Sequence, residues 1–206
     1  MANLDKINAT DIKQLADSGS VYYADNDVVI IDDLRNFSKL QTIKVDFLLI
    51  IVVKAGRVEM RANKVETTAS ANDIVICQPN TIMNECLFSF DFAAKAVCIS
   101  AQTARKMLHI EDVVDLSFFL KYKPIIHVDS STMNTFEKYH ALLSEQLLKE
   151  DTKYKKQIVD SLVNSFLFCL LSIIEDANPQ RNAIYISRGS LLFKPVSYTH
   201  LRAHET

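Results

Sequence analysis

Glycine and tryptophan are the residues that this sequence uses least. Its 206 residues contain three glycines and no tryptophan. Three glycines are too few for the loops that cradle phosphates, and no Gly-x-Ser-x-Gly elbow, Walker loop or dinucleotide fingerprint occurs. The adjacent carboxylates of Asp32 and Asp33, and of Glu111 and Asp112, lie in turn-like settings that are typical of solvated residues rather than of acid–base pairs. We therefore predict that the protein is not an enzyme.

An excess of basic residues is also missing. The formal net charge is −2, which gives no general attraction to nucleic acid or to acidic membranes. Lys153, Lys155 and Lys156 form the only notable basic cluster, and we interpret them as the solvated start of a helix. The sequence offers no basic recognition helix for DNA.

Long apolar runs and paired cysteines are absent too. The runs "FLLIIVV" and "FLFCLL" are well short of the roughly 18 residues that a membrane-spanning helix needs. Cys77, Cys86, Cys98 and Cys169 show no Cys-x-x-Cys spacing, and no secretory signal precedes them. These patterns predict reduced core thiols in a cytoplasmic protein that does not cross a membrane.

The segment from Val21 to Ile99 is rich in β-branched and aromatic residues. About eight strands follow one another here without a helix, which favours an antiparallel sandwich or barrel. One strand is predicted from "TIKVDFLLIIVV", in which Ile43, Val45 and Phe47 alternate with polar residues before both faces become apolar. Another part of the chain must therefore pack on the outside of the barrel. Gly56 in "KAGR" is predicted to form a tight turn.

Helical spacing replaces this pattern after Ser100. The stretch "STMNTFEKYHALLSEQLLKE" predicts an amphipathic helix with Met133, Phe136, His140, Leu143 and Leu147 on one face. The next stretch, "DTKYKKQIVDSLVNSFLFCLLSIIED", predicts a helix capped by Asp151 or Thr152 and ended at Asn178-Pro179, with a first half that is one-sided through Ile158, Leu162 and Phe166.

The second half of this helix, "FLFCLLSII", is apolar all round and needs two packing partners. One partner is the barrel or the preceding helix. The other is the same helix of a second subunit; burial within a single chain is the alternative.

Candidate sites are few. Enzymatic cupin barrels hold their metal through histidines on the strands, whereas His109, His127 and His140 all follow the predicted barrel, so we predict no metal site. His140 is interpreted as a hydrogen-bonded packing residue. By strand parity, Arg35, Phe47 and Met60 are candidate lining residues of a small-molecule pocket; a plain core or surface role is the alternative for each.

The order of these parts resembles a known family. A barrel containing "KAGRVEM" and then "ANDIVICQPNT", two long helices, and "NPQRNAIYISRGSLLFK" is similar to the N-terminal region of AraC/XylS-type transcription regulators. The resemblance implies a mainly β plus α fold, in which an antiparallel cupin-like (jelly-roll) barrel is followed by a C-terminal helical dimerisation segment.

This resemblance also implies roles for the parts. The barrel would be a ligand-sensing module without a cofactor, and the helix from Lys153 to Glu175 would make a homodimer. The contact residues expected on that helix are Ile158, Leu162, Phe166, Cys169 and Ile173. DNA would be bound only through a missing C-terminal domain with two helix-turn-helix units. Two alternatives remain: a stand-alone small-molecule-binding cupin domain without an enzymatic metal site, and, less favoured because no Gly-Glu pair occurs, a cyclic-nucleotide type of barrel.

The last residues have a different origin in our interpretation. Reverse translation of "VSYTHLRAHET" matches the transposon end plus adapter used in sequencing-library preparation, so we expect residues 196–206 to be non-native. The predicted organisation is then an N-terminal arm (1–20), the barrel with short following helices (21–125), a two-helix dimerisation segment (126–178), a linker or start of the missing DNA-binding domain (179–195), and this tail.

Overall fold

The structure, a computed structural model, describes residues 9–10, 21–24, 27–35, 42–108, 120 and 123–177, which form eleven strands and three helices. The predicted linker and the adapter-like tail lie outside these residues. The strands are β1 Ala9–Thr10, β2 Val21–Ala24, β3 Val28–Ile31, β4 Thr42–Val45, β5 Phe47–Ala55, β6 Arg57–Ala62, β7 Val65–Ser70, β8 Asp73–Cys77, β9 Ile82–Phe88, β10 Ala93–Ser100 and β11 Ile125–His127. The helices are α1 Ala101–Met107, α2 Ser130–Leu148 and α3 Lys155–Asp176.

The strands form two sheets. The outer sheet has five strands in the order β1-β4-β9-β6-β7, and the middle sheet has six in the order β11-β8-β5-β10-β3-β2. Every pairing in the described residues is antiparallel except that of β1 with β4. The predicted mainly β, jelly-roll-like fold is therefore confirmed, but no ladder between described residues closes the two sheets into a barrel.

The prediction of one strand from "TIKVDFLLIIVV" is wrong. The chain leaves the outer sheet after β4, passes through Asp46 and enters the middle sheet as β5. Side-chain parity continues across this corner, because Ile43, Val45 and Phe47 all belong to the same core between the sheets. The sequence pattern therefore gives no sign of the change of sheet.

The middle sheet separates two hydrophobic cores. Its inward residues pack against the outer sheet, and its other face packs against the helices. On β5 the side chains alternate between these cores. Leu49 and Ile51 face the core between the two sheets, and the core under the helices is reached by Leu48, Ile50 and Val52. The prediction that something covers the outside of this strand is thus confirmed, and the covering layer is helical.

Helix α2 presents the face that the sequence predicts. Its buried residues are Met133, Phe136, His140, Leu143 and Leu147. At its start, the Asp129 side chain accepts a hydrogen bond of 2.7 Å from the backbone N–H of Thr132. This backbone hydrogen bond lowers the pKa of Asp129, as is usual for a carboxylate at a helix N-terminus.

Helix α3 differs from its prediction at the start and in its orientation. Its N-cap is Tyr154, and Asp151 instead contacts Lys155 Nζ at 3.1 Å. The inward face is one residue further along than predicted, so that Ile158 is exposed. The buried residues are Val159, Val163, Phe166, Leu167, Leu170 and Ile174.

The length and composition of α3 are sufficient for a membrane span. Its 22 residues include a window with a mean hydropathy of 1.8. In this structure, however, α3 packs against α2, with Phe166 edge-on to Phe136 at 5.3 Å between ring centroids and to Tyr139 at 5.9 Å. An apolar helix with one face in a protein core passes the same composition test.

Gly56 makes the predicted turn between β5 and β6. Its φ of +68° lies in the left-handed region, which residues with a Cβ atom rarely adopt. A Cβ at this position would lie 2.7 Å from the backbone nitrogen of Phe92. Glycine is thus required here both by backbone conformation and by space.

Candidate ligand pocket and dimer surface

A pocket of 890 Å³ lies between β6 and β7 of the outer sheet and β8 and β11 of the middle sheet. We call it the inter-sheet pocket. Its volume is in the range of small-molecule sites in proteins. Apolar and polar side chains both line it: Met60, Ala62, Asn63, Val65, Glu66, Thr67, Thr68, Val75, Ile76, Cys77, Gln78, Pro79, Asn80, Thr81, Leu120, Lys123, Pro124 and Ile125.

A tight turn shapes one wall of this pocket. After β8, Asn80 adopts a φ of +72°, its N–H donates to the Val45 carbonyl at 2.7 Å, and the Thr81 N–H donates to the Gln78 carbonyl at 3.1 Å. Asparagine tolerates this left-handed conformation, which explains "QPNT" at this position. The sequence analysis did not indicate that this segment faces a pocket.

The inter-sheet pocket has one acidic and one basic lining residue, Glu66 and Lys123, and they differ in whether an ion pair already neutralises them. The Glu66 carboxylate is paired with Arg61 at 3.0 Å. Lys123 is exposed, and no described acidic group forms an ion pair with it. The pocket therefore offers apolar walls together with one available cation.

The structure does not bring the three predicted pocket residues together. Met60 is buried and lines the inter-sheet pocket. Phe47 is buried between the sheets but is not among the lining residues described. Arg35 lines a separate hollow of 440 Å³ with Lys54, Lys95 and others. Strand parity identified Phe47 and Met60 correctly as inward residues, whereas Arg35 is exposed and lies on no strand, and parity could not show which inward residues border a void.

Arg35 holds a neighbouring carboxylate. Its Nε and Nη2 atoms donate to the two oxygens of Asp33, at 3.0 Å and 2.7 Å respectively. This side-chain hydrogen bonding lowers the pKa of Asp33. The charges of the pair are thereby balanced at the surface.

Two of the four cysteines are fully buried core residues, as the sequence predicts for all four. All four are free thiols, and Cys77 and Cys98 are buried. Burial raises the pKa of Cys77 to about 12 and also raises the pKa of Cys98. These two groups are therefore core residues without thiolate chemistry at neutral pH.

One histidine prediction is wrong in its placement. His127 does not follow the β-structure but lies on β11, which pairs with β8 in the middle sheet. Its Nδ1 is 2.9 Å from Oδ1 of Asp73, whose other oxygen accepts the Ser70 N–H at 2.7 Å. No group of three or more His, Cys, Asp or Glu side chains that could hold a metal occurs in the part of the chain that the structure describes.

One flank of α3, beside its buried face, carries an apolar stripe that also packs in part against the helical core. We define the α3 outer stripe as Ile158, Leu162, Cys169 and Ile173, which are exposed or half-buried. Their spacing places them within about 60° on the helix surface. Phe166, the fifth predicted contact residue, has no exposed surface and packs inside its own chain, so it is excluded from this stripe.

Three similar solved structures illustrate the likeness of this chain to known proteins. The chain is similar to the AraC-like transcriptional activator CuxR, with 10% identity, a TM-score of 0.44, and 72% of this chain and 49% of that chain covered. It is similar to ToxT from Vibrio cholerae with an unsaturated fatty acid bound, with 12% identity, a TM-score of 0.40, and 73% and 54% covered. It is also similar to the EutQ protein of Clostridium difficile, with 13% identity, a TM-score of 0.25, and 36% and 54% covered.

No family profile and no curated protein matches the sequence. The chain spans about half the length of the regulator chains that it matches. AraC-type regulators are thus among the structures to which this chain is similar, in agreement with the resemblance drawn from the sequence.

Proposed function

We propose that this chain is the ligand-sensing and dimerisation part of an AraC-type transcription regulator that acts in the cytoplasm. The observation that carries the proposal is the position of β8. Its Val75 and Cys77 line the inter-sheet pocket and belong to the core between the sheets, whereas Ile74 faces the helical core. A ligand that moves β8 would therefore shift the surface on which the helices rest.

The effector we propose is a small molecule with an apolar body and an anionic group. Met60, Val75 and Cys77 supply an apolar wall, and Lys123 supplies a positive charge without a described acidic partner. Such a ligand would exchange water for apolar contact while its charge stays near the pocket mouth. No catalytic step is required for this role.

The α3 outer stripe is the proposed homodimer contact. An antiparallel pair of α3 helices centred near Ser165 would place Ile158 opposite Ile173 of the partner subunit, and Leu162 opposite Cys169 of the partner subunit. The stripe is therefore complementary to itself, as a two-fold contact requires. Burial of these side chains would supply the second packing partner of the apolar helix.

Dimerisation is tested by light scattering on the purified chain at micromolar concentration. We expect a dimer for the unaltered chain and a monomer for Leu162→Glu, because the substitution places a charge in an apolar contact. The matched control is Phe168→Glu, at an exposed phenylalanine outside the stripe, which should leave the dimer intact. A dimer in both variants, or a monomer without any substitution, would contradict the proposed contact.

The regulator proposal is tested by the uninterrupted gene. A reading frame that continues past Lys194 into a basic pair of helix-turn-helix units supports it. A native stop near that position supports the second candidate, a stand-alone small-molecule-binding cupin domain. The second candidate is favoured by the fact that the inter-sheet pocket is lined from within this chain.

A further inference from the structure

A buried histidine joins the helical layer to the middle sheet. His140 lies on the inward face of α2 and has 1% of its surface exposed. Its neighbours on that face are Met133, Phe136, Leu143 and Leu147, which are all apolar. His140 is thus the one titratable side chain on this buried face of α2.

The hydrogen bonding of the ring fixes the tautomer of its neutral form. His140 Nε2 lies 3.2 Å from the carbonyl oxygen of Ile31, the last residue of β3. A carbonyl oxygen only accepts hydrogen bonds, so Nε2 carries the proton and donates it. In the neutral ring, Nδ1 is then an acceptor, and this buried atom has no hydrogen-bond partner among the residues that the structure describes.

The charged groups facing the ring come from three strands and from α2 itself. Asp32, directly after β3, has its Oδ1 atom 3.7 Å from His140 Nε2, and Lys95 of β10 has its Nζ atom 3.9 Å from the same oxygen. Glu137 of α2 is paired with Lys54 of β5 at 3.3 Å. Asp32 and Glu137 favour a charged ring, but each is already shared with a lysine.

Burial decides the balance between these effects. Burial and then the charge of Lys95 lower the pKa of His140 below its ordinary value of 6.5, and they outweigh the opposing effects of the Ile31 hydrogen bond, Asp32 and Glu137. The ring is therefore neutral when α2 is docked at neutral pH. A proton added to Nδ1 would create a charged donor for which the described residues offer no acceptor.

We propose that His140 is a proton-sensitive contact between α2 and the middle sheet: the neutral ring holds α2 against the end of β3, and protonation of Nδ1 weakens this attachment. Since α3 packs on α2, acid would loosen α2 and α3 together from the sheet. The contact does not depend on the proposed effector or on the proposed dimer.

The direction of the pH dependence follows from linkage. A detached or unfolded α2 exposes His140 to water, where the ring has an ordinary pKa and binds a proton more tightly than in the docked state. The stability that this contact provides is fully present above about pH 6.5 and is lost as the pH falls. Between that value and the lowered pKa of the docked ring, the equilibrium constant for detachment should rise by up to about tenfold per pH unit.

An NMR titration of the unaltered chain gives the first test. The Cε1–H resonance of His140, assigned by its loss in His140→Gln, should titrate with a midpoint below 6.5. Hydrogen exchange of the α2 amides, corrected for the intrinsic pH effect, should show opening that increases as the ring protonates. A midpoint at or above 6.5, or α2 opening that is constant from about pH 7 to about pH 5, would overturn the proposal.

Substitution gives the second test. His140→Gln retains an N–H donor for Ile31 but cannot take up a proton in this range. Its melting temperature should fall less than that of the unaltered chain between about pH 7 and about pH 5. The matched control is Asn134→Gln, at an exposed and non-titratable position of α2, which should keep the full pH dependence. Equal slopes for His140→Gln and the unaltered chain would refute the role of His140; if that variant does not fold, the titration and exchange measurements decide.

Discussion

The hydroxyl oxygens of Tyr139 and Ser165 lie 2.6 Å apart and join α2 to α3 by a hydrogen bond. Tyr139 also packs its ring against Phe166, so the bond lies at the edge of an aromatic cluster. A polar link between two largely apolar faces helps to fix the position of one helix along the other.

We expect Tyr139→Phe to lower the free energy of unfolding by about 1 kcal/mol, because it removes this hydrogen bond and keeps the ring. Urea denaturation provides the measurement. Ser165→Ala should cost a similar amount, and the double variant should cost less than the two single losses together. Strict additivity would show that the two hydroxyl groups do not interact in solution.

The turn at Gly56 gives a second prediction. Gly56→Ala should lower the free energy of unfolding by about 2 kcal/mol or more, because the new Cβ meets the backbone of Phe92 at 2.7 Å and the φ is +68°. Thermal unfolding measures this loss. The matched control is Asn72→Gly, where φ is also +68° and glycine is tolerated. A Gly56→Ala variant as stable as this control would contradict the turn geometry.

Alanine substitutions at two phenylalanines of α3, Phe166 and Phe168, should differ strongly in their cost to the free energy of unfolding. Phe166 has no exposed surface, and Phe166→Ala should cost about 3 to 5 kcal/mol through lost burial and the cavity that remains. Phe168 is 44% exposed, and Phe168→Ala should cost less than about 1 kcal/mol. Chemical denaturation of both variants compares these losses directly. Similar costs would mean that the helix is rotated relative to this structure.

The order in which the cysteine thiols react should follow their burial. A pKa of about 12 leaves Cys77 almost entirely protonated at pH 8, and the raised pKa of Cys98 has the same effect. In the native chain, iodoacetamide should label Cys86, which is only half-buried and lies outside the proposed dimer contact, long before either of them. Mass spectrometry of timed samples checks the order. Rapid labelling of Cys77 in the folded chain would show that the core opens frequently.

The sequence was informative wherever periodicity determines structure. The five buried residues of α2 were all predicted, because a helix with one apolar stripe has one way to face a core. For the first half of α3 the same reasoning failed: Ile158 and Val159 are adjacent and both apolar, so the pattern could not distinguish which of them is the inward residue.

Other features could not be predicted from local patterns. The corner at Asp46 preserves parity, so the sequence reads as one strand where the structure has two. Likewise, the inter-sheet pocket combines residues from β6, β8 and the segment before β11, and only the tertiary fold brings Met60 near Lys123. A pocket is a property of space between elements, whereas periodicity reports the environment of one element at a time.

The placement of one sheet between two cores has a consequence for cooperativity. Neither the helices nor the outer sheet retains a complete apolar interface if β5 and β10 leave their positions, since both layers use opposite faces of the same strands. We therefore expect the three layers to melt as one thermodynamic unit rather than as separate subdomains.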